Sequence, residues 1–414
     1  MPIPLLDLNR QYETIKPEIK KAIDQVLESQ YFIMGDEVRK FEEEVGSYCE
    51  SNFAYGCASG SDALLLALMA IDLQPGDYVI TSPFTFFATA GAISRIGGIP
   101  IFLDIEKDSF NLDPRQVEQF LEGEHPVYKK LNPDPDRIKA IIPVHLYGQM
   151  ADMDPIRKIA KENGLAVIED AAQAIGAKYK GTKAGSVGDF GCFSFFPSKN
   201  LGAFGDAGLV TVKDQALAQK TDILRLHGAN PKYHHSLVGI NSRLDTIQAA
   251  VLSVKLKYLD EWSDKRRQIA QTYNRLFEQA GIVTELSDCS GACTAMGGQG
   301  CTLDAAKIIT PKETTGDPKA NGRHIYHQYT IRTRQRNSLV EALKEKEIGH
   351  SVYYPIPLHE QECFAYLGYE PKDCPVSHCA SKQALSLPIF PELSDGEIEE
   401  VADTVIQAVK SSNS

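Results

Sequence analysis

Hydrophobic and polar positions follow two rhythms along this chain. Residues 12–30 (YETIKPEIKKAIDQVLESQ) place Ile19, Ile23, Val26 and Leu27 at helical spacing, and 36-DEVRKFEEEVGSYC-49 repeats the pattern after Gly35. Short apolar runs then recur: DYVIT (77–81), IPIFLDI (99–105), KAIIPVHLYG (139–148), LAVIEDA (165–171), FGCFSFF (190–196) and GLVTV (208–212). Several are apolar almost throughout, which is the pattern of strands covered on both faces. FAYGCASG reads as a further strand breaking into glycine before the helical run SDALLLALMAI. With DPRQVEQFLEG (113–123) and MDPIRKIAKENG (153–164) as helices between strands, the alternation predicts an α/β fold with a largely parallel sheet.

Past residue 245 the rhythm changes. DTIQAAVLSVKLKYLDEWSDKRRQIAQTYNRLFEQAG predicts a long connecting helical stretch over 245–281. A strand (HIYHQYTIRT), a helix (SLVEALKEKEIG), the turn-rich VYYPIPLHEQ and a terminal helix after LSDGEIEE then predict a smaller α+β domain. The expected division is a large domain over 1–250, including the N-terminal segment, and a small one over 251–414. Residues 286–322, rich in Gly, Thr and Asp, read as a flexible surface insertion. Cys289, Cys293 and Cys301 within it offer three zinc ligands with no histidine nearby, where a structural site wants four, so no metal is expected.

Composition narrows the function. The 414 residues carry a formal net charge of -12, which argues against a nucleic-acid partner. No apolar run reaches membrane-spanning length, so no membrane partner is expected. The start, MPIPLLDLNRQYETIKPEIKKA, has no apolar signal core, and the nine cysteines are an odd count without a secretory leader. The expectation is a cytoplasmic protein with reduced thiols.

The candidate chemistry gathers around 193-FSFFPSKNLGAFGDAG-208, where Lys199 stands between an apolar run and a Gly-rich loop. Desolvation lowers a lysine pKa and yields a neutral amine able to attack a carbonyl. Pyridoxal phosphate, the commonest partner of such a lysine, needs backbone amides for its phosphate, a carboxylate for its ring nitrogen and a flat apolar contact for its ring. In 56-GCASGSDALLLAL-68, Gly60 and Ser61 open a helix at a strand end and fit the first need, although Ser59 or Ser61 as an ordinary N-cap explains the stretch as well. In 165-LAVIEDAAQAIGA-177, Asp170 ends a strand where open α/β sheets bind ligands; a helix cap is its competing role, and Glu169 is expected to face away. Gln173 lies three residues on, within reach of a ring substituent. In 82-SPFTFFATA-90, Phe84, Phe86 and Phe87 offer an aromatic face or ordinary core, and Ser194 could donate to a phosphate oxygen.

The order strand–GS–helix, aromatic loop, strand–ED, strand–SxxxxK is the layout of fold-type I pyridoxal-phosphate enzymes. The runs FFPSKNLGAFGDAG, VIEDAAQAIGA, ASGSDAL, PFTFFATA, HLYGQ and NSRLDTIQAA resemble the DegT/StrS family of nucleotide-sugar aminotransferases, from LLDLNRQY to LSLPIFPELS. The resemblance implies a homodimer with active sites at the interface. It implies that Lys199 holds the cofactor and shuttles protons, with Asp170 at the pyridine nitrogen and Gln173 beside the ring oxygen. Gly60, Ser61 and Ser194 then contact phosphate and Phe86 stacks on the ring. Asn241 reaches the neighbouring subunit's cofactor phosphate, and Arg243 contacts substrate or is an interface arginine. The implied reaction takes an amino group from L-glutamate to a UDP- or dTDP-linked keto sugar. SFFPSKNLG, YHHSLVGINSRLD and VYYPIPLH are most similar to members acting on 3-keto sugars; 4-keto sugars, or a non-enzymatic pyridoxal-binding sensor, are the alternatives. Tyr353 stands where the 3-keto-glucuronate branch commonly has histidine, so dTDP-linked 3-keto-6-deoxyhexoses stay open beside the uronate. Sugar dehydratases of the family carry histidine in place of the lysine, and Lys199 argues against that chemistry.

Overall fold

A computed structural model of the chain describes residues 2–285, 303–304, 306–314 and 322–411. Its centre is a seven-stranded sheet built from β1 (Phe53–Cys57), β2 (Tyr78–Thr81), β3 (Ile99–Phe102), β4 (Ile138–Ile142), β5 (Ala166–Asp170), β8 (Phe190–Ser194) and β9 (Gly208–Val212). Between β5 and β8 lies the small hairpin of β6 (Lys178–Tyr179) and β7 (Thr182–Lys183). The order across the sheet is β1-β9-β8-β5-β4-β2-β3, and β9 runs antiparallel to both neighbours while the other pairings are parallel. This is the largely parallel α/β sheet that the unbroken apolar runs predict.

Alternate residues explain those runs. Ile80, Ile141, Val167, Phe193 and Leu209 enter the core on one face. Their neighbours Val79, Ile142, Ile168, Cys192 and Val210 enter the core on the other. Both faces are covered, so both phases of each strand must be apolar, and each buried side chain contributes about 1.5–3 kcal/mol. The helix Gly60–Ala70 is buried along most of its length for the same reason.

Three local readings change. The run 139–148 is not one strand: β4 stops at Ile142, before Pro143, and the chain then turns through Tyr147 and Gly148, both at positive φ (58° and 98°). A Cβ on Gly148 would stand 2.7 Å from Ile325 Cγ1 and 2.9 Å from the His327 amide, so the glycine serves a close approach as well as a turn. The 245–281 stretch breaks at Lys257–Tyr258 into Thr246–Leu256 and Leu259–Gln279. The first piece buries Ala249 and Leu252 against the sheet core, and the second buries Ile269, Tyr273 and Phe277 in a C-terminal core.

That C-terminal core surrounds β10 (Tyr329–Arg332) and β11 (Ala384–Leu387), an antiparallel pair. Ile3, from the start of the chain, also belongs to it through a bridge to Ile348. The stretch read as a surface insertion needs correcting here. Leu303, Ile308 and Ile309 are buried, and Ile308 and Ile309 bridge Val283 and Arg332. Two isoleucines flanked by lysine, threonine and proline are too short an apolar signal to stand out from a polar stretch. Cys289, Cys293 and Cys301 lie outside the described residues. Among the described residues no cluster of His, Cys, Asp and Glu could hold a metal ion, and no helix is long and apolar enough to cross a membrane.

Candidate active site

The carboxyl ends of β1, β2, β5 and β8 converge on one cavity of about 650 Å³. Eight of the ten residues expected at the site line it together: Gly60, Ser61, Phe86, Asp170, Gln173, Ser194, Lys199 and Tyr353. Asn241 and Arg243 do not. They line a neighbouring cavity of about 330 Å³, with Asp206 common to both walls.

The anion cradle is built by the helix Gly60–Ala70. Ser59 is its N-cap, accepting from the Asp62 amide at 3.1 Å, which leaves the Ser61 hydroxyl free at the cavity. The first amides of the helix and its dipole favour an anion there. Glycine is required around it. A Cβ on Gly60 would stand 2.6 Å from Ser194 Cβ, and one on Gly208 would stand 2.3 Å from the Ser59 backbone. Ser194 Oγ accepts from the Phe196 amide at 3.3 Å, so its own proton is available to a ligand oxygen.

Lys199 follows a tight turn in which its amide donates to the Phe196 carbonyl at 2.8 Å. The rest of the loop is held from behind: buried Lys255 donates from Nζ to the Gly202 carbonyl at 2.7 Å, and Gln248 Oε1 accepts from the Phe204 amide at 2.8 Å. Burial lowers the Lys199 amine from its usual range to about 8, an effect that the Asp170 charge partly offsets. At pH 7 roughly one such amine in ten is neutral, against about one in three thousand for an ordinary lysine.

Asp170 is buried at the end of β5. Its Oδ2 accepts from Thr89 Oγ1 at 2.7 Å and its Oδ1 from the Ala172 amide at 3.2 Å, so it starts a turn rather than capping a helix. Burial raises its pKa, while Thr89, Ala172 and then Lys199 oppose the rise. Gln173 is fixed at both ends of its amide: Oε1 accepts from the Tyr147 amide at 2.8 Å and Nε2 donates to Tyr354 Oη at 3.0 Å. Phe86 is 58% exposed, with its ring centroid 6.5 Å from that of Tyr354, and offers an apolar wall. Tyr353 accepts from Tyr147 Oη through its backbone carbonyl, which leaves its phenol free of that bond.

Glu169 does face away from the cavity, but into the protein. Its oxygens accept from the amides of Gly185, Val187 and Gly188 at 2.7–2.9 Å and from His145 Nε2 at 2.8 Å. His145 Nδ1 accepts from the Ala151 amide, so the ring proton sits on Nε2 and points at the carboxylate. Removing one partner of such a buried set strands the others. Glu169→Ala is expected to lower the unfolding free energy of the cofactor-free protein by about 3–5 kcal/mol, read from the urea midpoint. A change under about 1 kcal/mol would show that water replaces the carboxylate at no cost.

Thr89, Tyr354, Asp206, His327 and Gln328 also line or support the cavity and are not among the expected residues. Thr89 sits inside the singled-out run SPFTFFATA, yet nothing in its spacing ties it to an acid 81 positions away. Taken together, a desolvated amine, a buried carboxylate, an apolar wall and an anion cradle at the strand ends define an α/β enzyme that captures a phosphorylated carbonyl compound.

The sequence profile of the DegT/DnrJ/EryC1/StrS aminotransferase family matches residues 13–295 and 302–406, and the chain belongs to that family. The match takes in most of 286–322 and breaks only at 296–301. The chain is 47% identical to the pleiotropic regulatory protein of Geobacillus stearothermophilus, over 98% of each chain. It is 38% identical to the UDP-N-acetyl-3-dehydro-alpha-D-glucosamine 3-aminotransferase of Acidithiobacillus ferrooxidans, over 97% of each. Among solved structures, DesV of S. venezuelae in complex with a ketimine intermediate superposes with a TM-score of 0.85 at 35% identity, over 99% of each chain.

Proposed function

We propose that the protein is a pyridoxal-phosphate-dependent aminotransferase that moves an amino group from L-glutamate to a UDP- or dTDP-linked 3-keto sugar, for amino-sugar and surface-polysaccharide synthesis in the cytoplasm. The observation that carries the reading is the single cavity in which the Lys199 amine and the Asp170 carboxylate stand beside the helix N-terminus at Gly60 and Ser61. The residues fit the cofactor: three hydroxyl or amide donors for its phosphate, an acid for its ring nitrogen, and Phe86 for its face. Bound there, the cofactor supplies an aldehyde carbon and an electron-withdrawing ring. Lys199 would hold it, and the lysine amine would take a proton from the donor's α-carbon and return it at the opposite end of the exchange. Asp170 keeps the ring nitrogen protonated. Gln173, clamped by Tyr147 and Tyr354, orients the ring oxygen.

The reading includes a homodimer, in which Asn241 and Arg243 of one copy complete the site of the other. An exposed apolar run, Tyr31–Phe32–Ile33–Met34, and the 92%-exposed Val238 support it, since monomers rarely leave such surface in water. Among the described residues no guanidinium lines the cavity of one copy, and a guanidinium such as that of Arg243 suits a nucleotide diphosphate. The name of the 38% relative favours the 3-keto position. Tyr353 in the wall has no positive charge for a uronate, which favours an uncharged sugar. Domains meeting near residue 250 complete the reading.

The test is a panel of UDP- and dTDP-linked 3-keto and 4-keto sugars with glutamate as donor, read by mass of the aminated product. Turnover of 4-keto sugars alone overturns the position. Cofactor binding with no turnover of any sugar would favour a regulatory role, as the name of the 47% relative implies for that protein.

Capture of the cofactor should also follow the amine. Because Lys199 reacts only when neutral, the rate at which cofactor-free protein takes up pyridoxal phosphate should climb about tenfold per pH unit up to about 8 and level off above. A rate that stays flat between about pH 6 and 9 would remove Lys199 as the nucleophile.

A further inference from the structure

Asn200 follows Lys199 directly, and both of its amide ends are used. Nδ2 donates to the Ile325 carbonyl at 3.4 Å, and Oδ1 lies 2.9 Å from His327 Nδ1. A carbonyl can only accept, so the Ile325 bond sets which end of the amide is which. Oδ1 therefore faces the ring, and the imidazole proton must sit on Nδ1. Nε2 is then a bare acceptor. No group among the described residues bonds it, and His327 lines the same cavity as Lys199. The segment that carries the ring is itself fixed: the Ile325 amide donates to the Gly148 carbonyl at 3.0 Å and the Gln328 amide to the Tyr147 carbonyl at 3.3 Å.

We infer that Asn200 and His327 are a positioning pair for the proposed reaction: the amide anchors the lysine loop to the segment entering β10 and fixes the imidazole proton on Nδ1, with Nε2 as a fixed acceptor at the lysine's side of the cavity. The inference rests on the reading of Lys199 given above. Its chemical sense lies in charge. The charged groups facing the ring are Lys199 from the cofactor loop and Arg266 from the helix Leu259–Gln279, both cations. Burial first, and then these two, push the ring's pKa well below its ordinary value. A neutral ring leaves Lys199 with Asp170 as its main charged neighbour, and its one bare nitrogen accepts a proton-bearing group of lysine or substrate without competing for the proton.

Two measurements test this. Nitrogen-15 NMR of the imidazoles in cofactor-free protein, with the His327 signal assigned through its bonds to the backbone resonances of the unaltered chain, should show a protonated Nδ1 and a bare Nε2 at neutral pH. The Nε2-protonated tautomer, or an imidazolium, overturns the inference. In the loaded enzyme, His327→Leu should lower kcat roughly 100-fold with the glutamate KM changed less than about twofold, the cost of a misplaced reacting group. His327→Gln, which keeps an N–H for Asn200 and brings a neutral carbonyl acceptor, should recover to within about tenfold of the unaltered enzyme. Equal losses in the two variants mean a packing role alone and overturn it. If either variant fails to fold, the NMR result on the unaltered chain decides. Borohydride trapping at a different lysine would sink the proposed function and leave the tautomer measurement standing, so the two failures are distinguishable.

Discussion

Lys199→Ala is expected to abolish transamination, by more than about 10⁴-fold, because in the proposed reaction it removes the point of attachment and the group that moves protons in both halves of the exchange. Borohydride treatment followed by peptide mapping should find pyridoxyl label at residue 199 in the unaltered protein and nowhere in the variant. Loss of fold is the competing explanation, and stability excludes it. No hydrogen bond ties Lys199 Nζ to the described residues, so alanine orphans no partner. The sign of the linkage points the same way. The folded-state pKa, about 8, lies below the unfolded value, so the folded protein binds this proton less tightly than the unfolded chain. That costs stability. The cost is fully present below about 8 and is relieved as pH rises towards the unfolded value near 10.5. At pH 7 the alanine variant should therefore melt no lower than the cofactor-free parent, and it should lose the pH dependence of melting between those two values. A variant that is both inactive and markedly less stable would mean that the lysine is structural. A variant that retained label and turnover would remove the assignment altogether.

The parts of this molecule legible in its sequence are those that local chemistry dictates. The strands of the sheet are readable because residues such as Ile168 and Val167 face two different cores, which forces unbroken apolar runs. Lys199, Asp170 and Gly60 are readable because each sits at a strand end beside small residues, and small residues mark a close approach of backbone to ligand. The eye fails where contact order is long. Pro143 ends β4 inside a run whose apolar content continues to Leu146, since Val144 and Leu146 pack in a separate cluster beside Phe84. Ile308 and Ile309 are core residues in a stretch coloured by threonine and lysine. Thr89, Asn200 and His327 each act through a partner 81 or 127 positions away, and no pattern along the chain encodes that distance. Asn241 and Arg243 line a neighbouring cavity of the single chain, and only the proposed homodimer would bring them to a partner's site.

Asp170→Asn carries the second large effect, and it separates binding from chemistry. Asparagine is nearly isosteric, and Thr89 can turn its hydroxyl towards Thr85, 3.1 Å away, so the fold should tolerate the change. What is lost is the negative charge. In a buried site a fixed charge is worth far more than in water, and removing one such electrostatic group costs about 2.7–4 kcal/mol, or 10²–10³ in kcat. The expected result is a protein that still attaches cofactor at Lys199 but turns over donor and acceptor 10²–10³-fold more slowly in both half-reactions. The Lys199 amine should move with it, because Asp170 is the charge that partly offsets its desolvation. Removing that charge lowers the lysine pKa below about 8, so the pH midpoint for cofactor capture should shift to lower pH in Asp170→Asn. Capture that becomes faster at neutral pH while turnover collapses is a pairing that neither misfolding nor a general loss of the site produces. If turnover fell less than about tenfold, the acid would be a structural anchor for Thr89 and Ala172, and the ring nitrogen would have to find its partner elsewhere.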